Sequence, residues 1–207
     1  MSSDPVSSLE RITAAQLLPI VAPIVAAGTG ARIAEALPNL QHALSTVIVC
    51  YVLWGMAVPL AVLVLVIYYQ RLAVHKLPPR EVIVSCFLPL GPLGFGGFTI
   101  MYLGQVARTL FPAIHFIDPL GGTVAYIVGF LLALIMWGFG LMWLAFALCT
   151  IHLSRPFPFN MGWWGFTFPL GVFSASTLQL GNEMPSKFFK VLGTVSTGEL
   201  FMASNVH

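Results

Sequence analysis

Three short motifs centred on proline are the residues whose type and spacing suggest chemistry in this sequence. Each places an apolar residue before the proline: Leu18-Pro19-Ile20-Val21, Leu88-Pro89-Leu90-Gly91 and Phe168-Pro169-Leu170-Gly171. Proline removes a backbone hydrogen bond and distorts the preceding turn, which leaves main-chain polar groups free. Free amide groups at the start of a helix favour anions, so the motifs predict a place where an anion meets main-chain dipoles.

The spacing of the three motifs predicts an internal repeat. Their prolines are separated by 70 and then by 80 residues, about one helical hairpin each time. We therefore expect three hairpin-sized repeats, each with a helix broken in mid-membrane followed by a smoother one. Irregular backbone at membrane depth persists only where protein buries it or where it lines a wet cavity. The pore-lining kinks predicted in this way are Pro19, Pro23, Pro89, Gly91, Pro92, Pro169 and Gly171.

Glycines near the second motif have a different explanation. Small residues let membrane helices approach closely, and this packing role is the alternative for Gly94, Gly96 and Gly97. Catalytic sets such as Ser-His-Asp, paired carboxylates or a phosphate loop are not recognisable, so we expect neither an enzyme nor a cofactor. The three cysteines lie in apolar runs without a CxxC spacing, which favours free thiols and argues against a metal site: Cys50, Cys86 and Cys149.

The composition indicates that a membrane surrounds these motifs. Of the 207 residues, 58% are hydrophobic and only 8% are charged, whereas a soluble domain has about 25% charged residues. A net charge of +2 is too weak a field for a nucleic-acid partner. The apolar runs are long and do not alternate, which excludes a transmembrane barrel. The sequence therefore predicts an all-α integral membrane protein whose partner is the lipid bilayer.

Apolar runs divide the chain into five predicted transmembrane helices. They cover about residues 14–30, 43–70, 82–104, 123–153 and 163–180. A polar N-terminal segment at 1–13 precedes a partial transmembrane transporter domain at 14–181, and a truncated tail at 182–207 follows. One side of the predicted bundle collects more basic residues, and the positive-inside rule makes that side cytosolic. Its basic residues are Arg11, Arg71, Lys76, Arg80 and Arg155.

The residues around the motifs resemble the tellurite-resistance/C4-dicarboxylate transporter family, which includes the slow anion channels. Residues 159–173, FNMGWWGFTFPLGVF, are similar to the ninth helix of that family. Further similarity, closest to the sulfite-exporting branch, lies at residues 17–21, 77–79, 87–92, 96–98 and 185–193. The resemblance extends from residue 14 to residue 194 and ends there.

The resemblance implies ten helices in five hairpins around a central pore, of which this chain supplies helices five to nine. Four helices would be missing before them and the tenth would be incomplete. The chain is therefore expected to be a fragment, a truncated gene model or a split half, and association with another copy as a homo-oligomer is a further expectation. The implied function is transport of a small anion across the plasma membrane, with sulfite efflux the closest match. Transport of a C4-dicarboxylate such as malate, or an inert fragment, are the alternatives.

The resemblance also implies a gate. In family members a phenylalanine on the ninth helix plugs the pore, and by motif position that residue is Phe168. Its neighbour Thr167 is the candidate anion contact. Without the resemblance, packing between helices, as for Phe166 and Phe173, is the alternative role of Phe168.

Overall fold

The computed structural model describes residues 14–75, 80–153, 165–184, 188–189, 191 and 193. It contains five α-helices, which are α1 (Leu18–Ala36), α2 (Leu40–His75), α3 (Leu90–Ile114), α4 (Gly121–Leu153) and α5 (Thr167–Glu183). Two 3-10 segments, Ala14–Leu17 and Arg80–Phe87, precede α1 and α3. No strand occurs among the described residues. The prediction of an all-helical chain is confirmed.

The central element is α3, which contacts each of the other four α-helices. In its most apolar stretch 83% of the residues are buried, against 28% for α2 and 33% for α4. Residue pairs along its length show that α1, α3 and α5 run parallel, because early residues of each helix meet early residues of α3 and late residues meet late ones. The two outer helices, α2 and α4, run in the opposite direction.

Among the described residues, four helical stretches are long and apolar enough to cross a membrane. These are Ala14–Ala36, Leu40–Val74, Ser85–Ile114 and Gly121–Leu153. The fifth predicted span corresponds to α5, which has 17 residues and is shorter than the roughly 20 residues of a typical span. The polar segment at 1–13 and nearly all of the tail after residue 184 lie outside the described residues, as do Arg11, Lys76 and Arg155.

The helix ends differ from the predicted span ends because charge does not stop a helix. The first span was expected to end at Gly30, yet α1 continues past Arg32 to Ala36. The second begins at Leu40, where the side-chain oxygen of Asn39 accepts hydrogen bonds from the backbone of Gln41 and His42 at 2.9 and 3.3 Å. Such a cap satisfies amide groups that have no partner in the first helical turn.

The third span begins as a 3-10 segment rather than as the α-helix expected from residue 82. Three consecutive β-branched residues, Val82, Ile83 and Val84, lower the helix propensity of this stretch. Pro89 has no amide hydrogen and so donates no backbone hydrogen bond. The Leu88 amide before it donates to the Ser85 carbonyl, three residues earlier, at 3.0 Å, as in 3-10 geometry. The α-helix starts only after this proline.

Glycine allows α3 and α4 to pack with their backbones in contact. A Cβ built on Gly122 would lie 2.6 Å from the carbonyl oxygen of Ala107, and one on Gly129 would lie 2.6 Å from that of Ile100. Real Cβ atoms do not approach so closely, so no larger residue fits without moving a helix. Small residues at such an interface are typical of membrane helix pairs.

The packing role holds for the three glycines that follow the second motif. A Cβ on Gly94 would lie 2.8 Å from the backbone nitrogen of Phe173 in α5. One on Gly96 would lie 2.6 Å from the Met136 side chain, and one on Gly97 would lie 3.4 Å from the Ala133 carbonyl. These glycines therefore bring α3 against its neighbours.

Candidate functional site

The three proline motifs have the same local setting. Pro19 is the second residue of α1, Pro89 directly precedes α3, and Pro169 is the third residue of α5. Each follows residues in 3-10 geometry, which are 14–17, 80–87 and 165–166. The backbone irregularity at these prolines is thus a change from 3-10 to α geometry at the start of the helix. The sequence had predicted an interruption in the middle of the helix instead. Proline suits this position because its missing amide hydrogen has no partner there in any case.

The parallel direction of α1, α3 and α5 brings the three motifs to one end of the bundle. A Cβ built on Gly91 would lie 3.7 Å from Cε1 of Phe168 and 3.8 Å from Cγ2 of Val21. One residue from each motif therefore meets at this point. We call Val21, Gly91 and Phe168 the junction.

Phe168 is only partly covered at the junction. Its side chain is 48% exposed, while Gly91, against which its ring lies, is buried. The next glycine of the motif, Gly171, has no atom within 4 Å of the position that a Cβ would occupy. One side of the Phe168 ring is therefore exposed, and the other side lies against α3 at Gly91, which has no side chain.

The other predicted site residues occupy more varied positions. Thr167 is the first residue of α5 and is exposed, one residue before Phe168. Pro92 and Pro169 are buried, whereas Pro19 is exposed. Pro23 lies within α1 and is half-buried. The structure thus brings Phe168 and Gly91 into contact, while the lining role of the remaining residues stays a prediction.

The junction has no charged side chain of its own and lies at the N-terminal ends of three parallel helices. Its three residues are all apolar. The aligned peptide dipoles of an α-helix give its N-terminal end a partial positive charge of about half a unit, although the Gly91 amide itself donates to the Leu88 carbonyl at 3.0 Å. An anion near the junction would therefore meet fixed dipoles rather than a lysine or arginine to which it could bind tightly.

Two polar clusters at the other end of α3 were not predicted from the sequence. In the first, the Tyr102 hydroxyl donates to the Glu35 carboxylate. The Arg32 guanidinium lies over the rings of Phe98 and Tyr102, at 5.4 and 4.9 Å from their centroids. This cluster joins the end of α1 to α3.

The second cluster joins α5 to α3 and α4. Glu183, the last residue of α5, accepts hydrogen bonds from the Gln105 amide and from the Tyr126 hydroxyl. The Gln179 amide donates to Gln105 at 3.1 Å, and Arg108 lies over the Tyr126 ring at 4.9 Å. Its partners are 57 to 78 residues apart in the chain, so no local pattern could have indicated it.

The described residues contain no group of three or more His, Cys, Asp or Glu side chains that could hold a metal ion. Within the same part of the chain the cysteines are free thiols. Cys50 and Cys86 are buried and Cys149 is exposed.

Several long apolar helices packed around a buried glycine-rich one define a multi-pass membrane protein. The chain belongs to the voltage-dependent anion channel family, which matches residues 1–204. This match extends further at both ends than the resemblance at residues 14–194 indicated.

Relatives of the chain include fungal transporters. It is 60% identical over 188 residues to the sulfite efflux pump SSU1 of Arthroderma otae and 58% identical over 188 residues to that of Arthroderma benhamiae. Each alignment covers 91% of this chain and 50% of the relative. The SSU1 pump of Candida albicans is 30% identical over 206 residues, which cover 89% of this chain and 42% of the relative. The chain thus spans about half the length of the curated relatives it matches. No solved structure matches it.

Proposed function

We propose that this chain forms part of a path for small anions across the plasma membrane, and that its transported anion is sulfite. The observation that carries the proposal is the junction, where the Phe168 ring lies 3.7 Å from the Cβ position of Gly91 at the meeting of three parallel helix starts. Membership of an anion channel family supports it.

The proposed mechanism combines helix dipoles with a hydrophobic gate. Three positive helix ends attract an anion toward the junction, and the exposed Thr167 hydroxyl can donate a hydrogen bond to it. An apolar ring at a narrow point stops a hydrated ion by excluding water. Because Gly91 has no side chain, the Phe168 ring has room to change rotamer, and this movement opens the path. Conduction of this kind uses no catalytic group and no cofactor.

Sulfite is preferred over a C4-dicarboxylate because relatives at 58 and 60% identity are named sulfite efflux pumps. An uncharged, dipole-lined path would also accept malate, so malate transport is the second candidate. The exposed side of Phe168 requires a further wall to enclose the path. A second copy of the chain is one partner that can supply it.

Substitution of Phe168 tests the gate. Phe168→Ala is expected to raise anion conductance about tenfold or more in patch-clamp recordings, because the apolar constriction disappears. Little stability should be lost, since the side chain is 48% exposed. The matched control is Phe146→Ala on α4, where the ring is 40% exposed and packs against Tyr69 and Trp143 rather than at the junction, and its conductance should not change. Equal conductance of Phe168→Ala and wild type, at equal membrane level, would reject the gate.

The substrate is tested separately in the same cells. Expression of the chain should increase tolerance to external sulfite, and malate uptake should stay at the level of cells without it. If malate uptake rises while sulfite tolerance does not, the dicarboxylate alternative is correct. If neither changes, this chain alone does not transport.

A further inference from the structure

Arg71 is a buried arginine near the end of α2. Only 4% of it is exposed, and its Nε and Nη1 atoms have no hydrogen-bond partner. In the sequence, Arg71 is one of the basic residues that flank the predicted spans on the cytosolic side. In the structure, its guanidinium is buried inside the protein. A buried, unpaired charge costs several kcal/mol. Such a group requires a partner of opposite charge.

Two further polar groups near Arg71 also lack partners. Tyr68, one turn earlier on α2, is 1% exposed, and Trp143 of α4 is also 1% exposed. Their rings stack with centroids 5.7 Å apart. The Tyr68 hydroxyl and the Trp143 Nε1 atom are both buried without a hydrogen bond. Arg71 and Cys86 lie within electrostatic range of the Tyr68 hydroxyl, and the Ser85 hydroxyl is close to it without forming a hydrogen bond of normal geometry.

All three side chains have buried atoms that lack a partner and can donate hydrogen bonds. Arginine and tryptophan are donors only, and a tyrosine hydroxyl donates when an acceptor is present. A concentration of buried donors around a cation suits an anion with several oxygen atoms, because each oxygen accepts more than one hydrogen bond.

Among the side chains that the structure describes, no carboxylate is available to Arg71. Glu35 and Glu183 accept from Tyr102 and Tyr126 at the opposite end of α3. Asp118 accepts from the Leu120 amide at 2.8 Å in the turn between α3 and α4. Within the described side chains, no carboxylate offsets the charge of Arg71, and an external anion is a partner of the required charge.

We infer that Tyr68, Arg71 and Trp143 form an oxyanion-binding site between the end of α2 and α4. Its ligand is a phosphate-like group, either the headgroup phosphate of a lipid or a free anion of the same shape. This donor site lies on the outer helices and shares no residue with the junction, so it does not depend on the proposed gate. Its place near the end of a membrane-spanning helix is the depth at which lipid phosphates lie.

Phosphate binding to the purified chain tests the site. The thermal unfolding midpoint is measured in maltoside detergent while inorganic phosphate replaces gluconate at constant ionic strength. Wild type should show a saturable rise, and Arg71→Gln should weaken the apparent affinity about tenfold or more, because a charge-assisted hydrogen bond is lost. Arg108→Gln is the matched control, because that arginine lies on the Tyr126 ring outside the donor site and its removal should leave the phosphate response intact.

A second variant keeps the test valid if Arg71→Gln does not fold. Trp143→Phe retains the aromatic stack on Tyr68 and removes only the Nε1 donor, and it should weaken phosphate binding several-fold. Glu81, an acidic residue of the 3-10 segment Arg80–Phe87, is the control for an internal partner of Arg71, and a phosphate response that appears only after Glu81→Gln would overturn the inference. A wild-type protein without a saturable response, or equal responses in wild type and both site variants, would also overturn it.

Lipid addition identifies the source of the oxyanion. If phosphatidic acid added to the micelles saturates the stabilisation, and inorganic phosphate then adds nothing, the site takes a lipid headgroup. If inorganic phosphate still stabilises the lipid-supplied protein in an Arg71-dependent way, the site takes a free anion. Either result supports an oxyanion site, whereas the absence of any Arg71-dependent effect in both arms contradicts it.

Discussion

The contact between α3 and α5 is open at its first turn and closed one turn later. At Gly91 a Cβ would lie 3.7 Å from the Phe168 ring, which is an ordinary van der Waals distance. At Gly94 a Cβ would lie 2.8 Å from the backbone nitrogen and Cα of Phe173. Three residues along one helix therefore separate a position with room for a side chain from one where two backbones touch.

The same residue type thus serves two purposes, and its partner decides which. Gly94 faces main chain, which cannot move without moving the whole of α5. Gly91 faces the ring of Phe168, which can rotate about its own side-chain bonds. Trp137 of α4 supports the closed region from the side, because its ring stacks on Phe173 of α5. Its Nε1 also donates to the Thr177 hydroxyl of α5 at 2.9 Å.

The largest effect is expected for Gly94→Ala in the closed region. The added methyl group forces α3 and α5 apart, and overpacking of this kind costs about 1–3 kcal/mol. The free energy of unfolding in detergent measures it. Gly138→Ala is the control, because no atom lies within 4 Å of its Cβ position and a helical Gly→Ala change is neutral or stabilising by up to about 1 kcal/mol. Equal stabilities of the two variants would show that the α3–α5 contact is not closed.

A smaller loss is expected for Trp137→Phe. The ring keeps its stack on Phe173, where the centroids are 6.2 Å apart, but the hydrogen bond to Thr177 is removed. The net cost of such a bond is about 1 kcal/mol. A double-mutant cycle with Thr177→Val isolates it, and a coupling energy near zero would mean that this bond does not close the region.

The smallest change in stability is expected for Gly91→Ala in the open region. A methyl group at 3.7 Å from Phe168 and 3.8 Å from Val21 fits without displacement, so the free energy of unfolding should stay within about 0.5 kcal/mol of wild type. The methyl group fills the space into which the ring moves, so anion conductance should fall. A loss of stability as large as that of Gly94→Ala would remove the distinction between the two regions.

Features that depend on composition and on nearby residues could be predicted from the sequence. The helical membrane class follows from the low charge content, and the change in backbone at Pro89 follows from the chemistry of proline. Contacts between distant residues could not be predicted, because Glu183 and Gln105 come together only when α5 lies against α3. The burial of Arg71 could not be predicted for a similar reason, since counting flanking charges locates a residue near a membrane surface but gives no information on its burial.

The burial of α3 has a consequence for the biogenesis of the protein. Hydrophobic helices such as α2 and α4 can leave the translocon and reside in lipid alone, because most of their surface is apolar and exposed. With 83% of its apolar stretch covered and five glycines that shape its surface, α3 gains its stability from its neighbours rather than from lipid. We expect α3 to be retained beside the translocon until α4 has been synthesised, so that the two helices enter the bilayer as a pair.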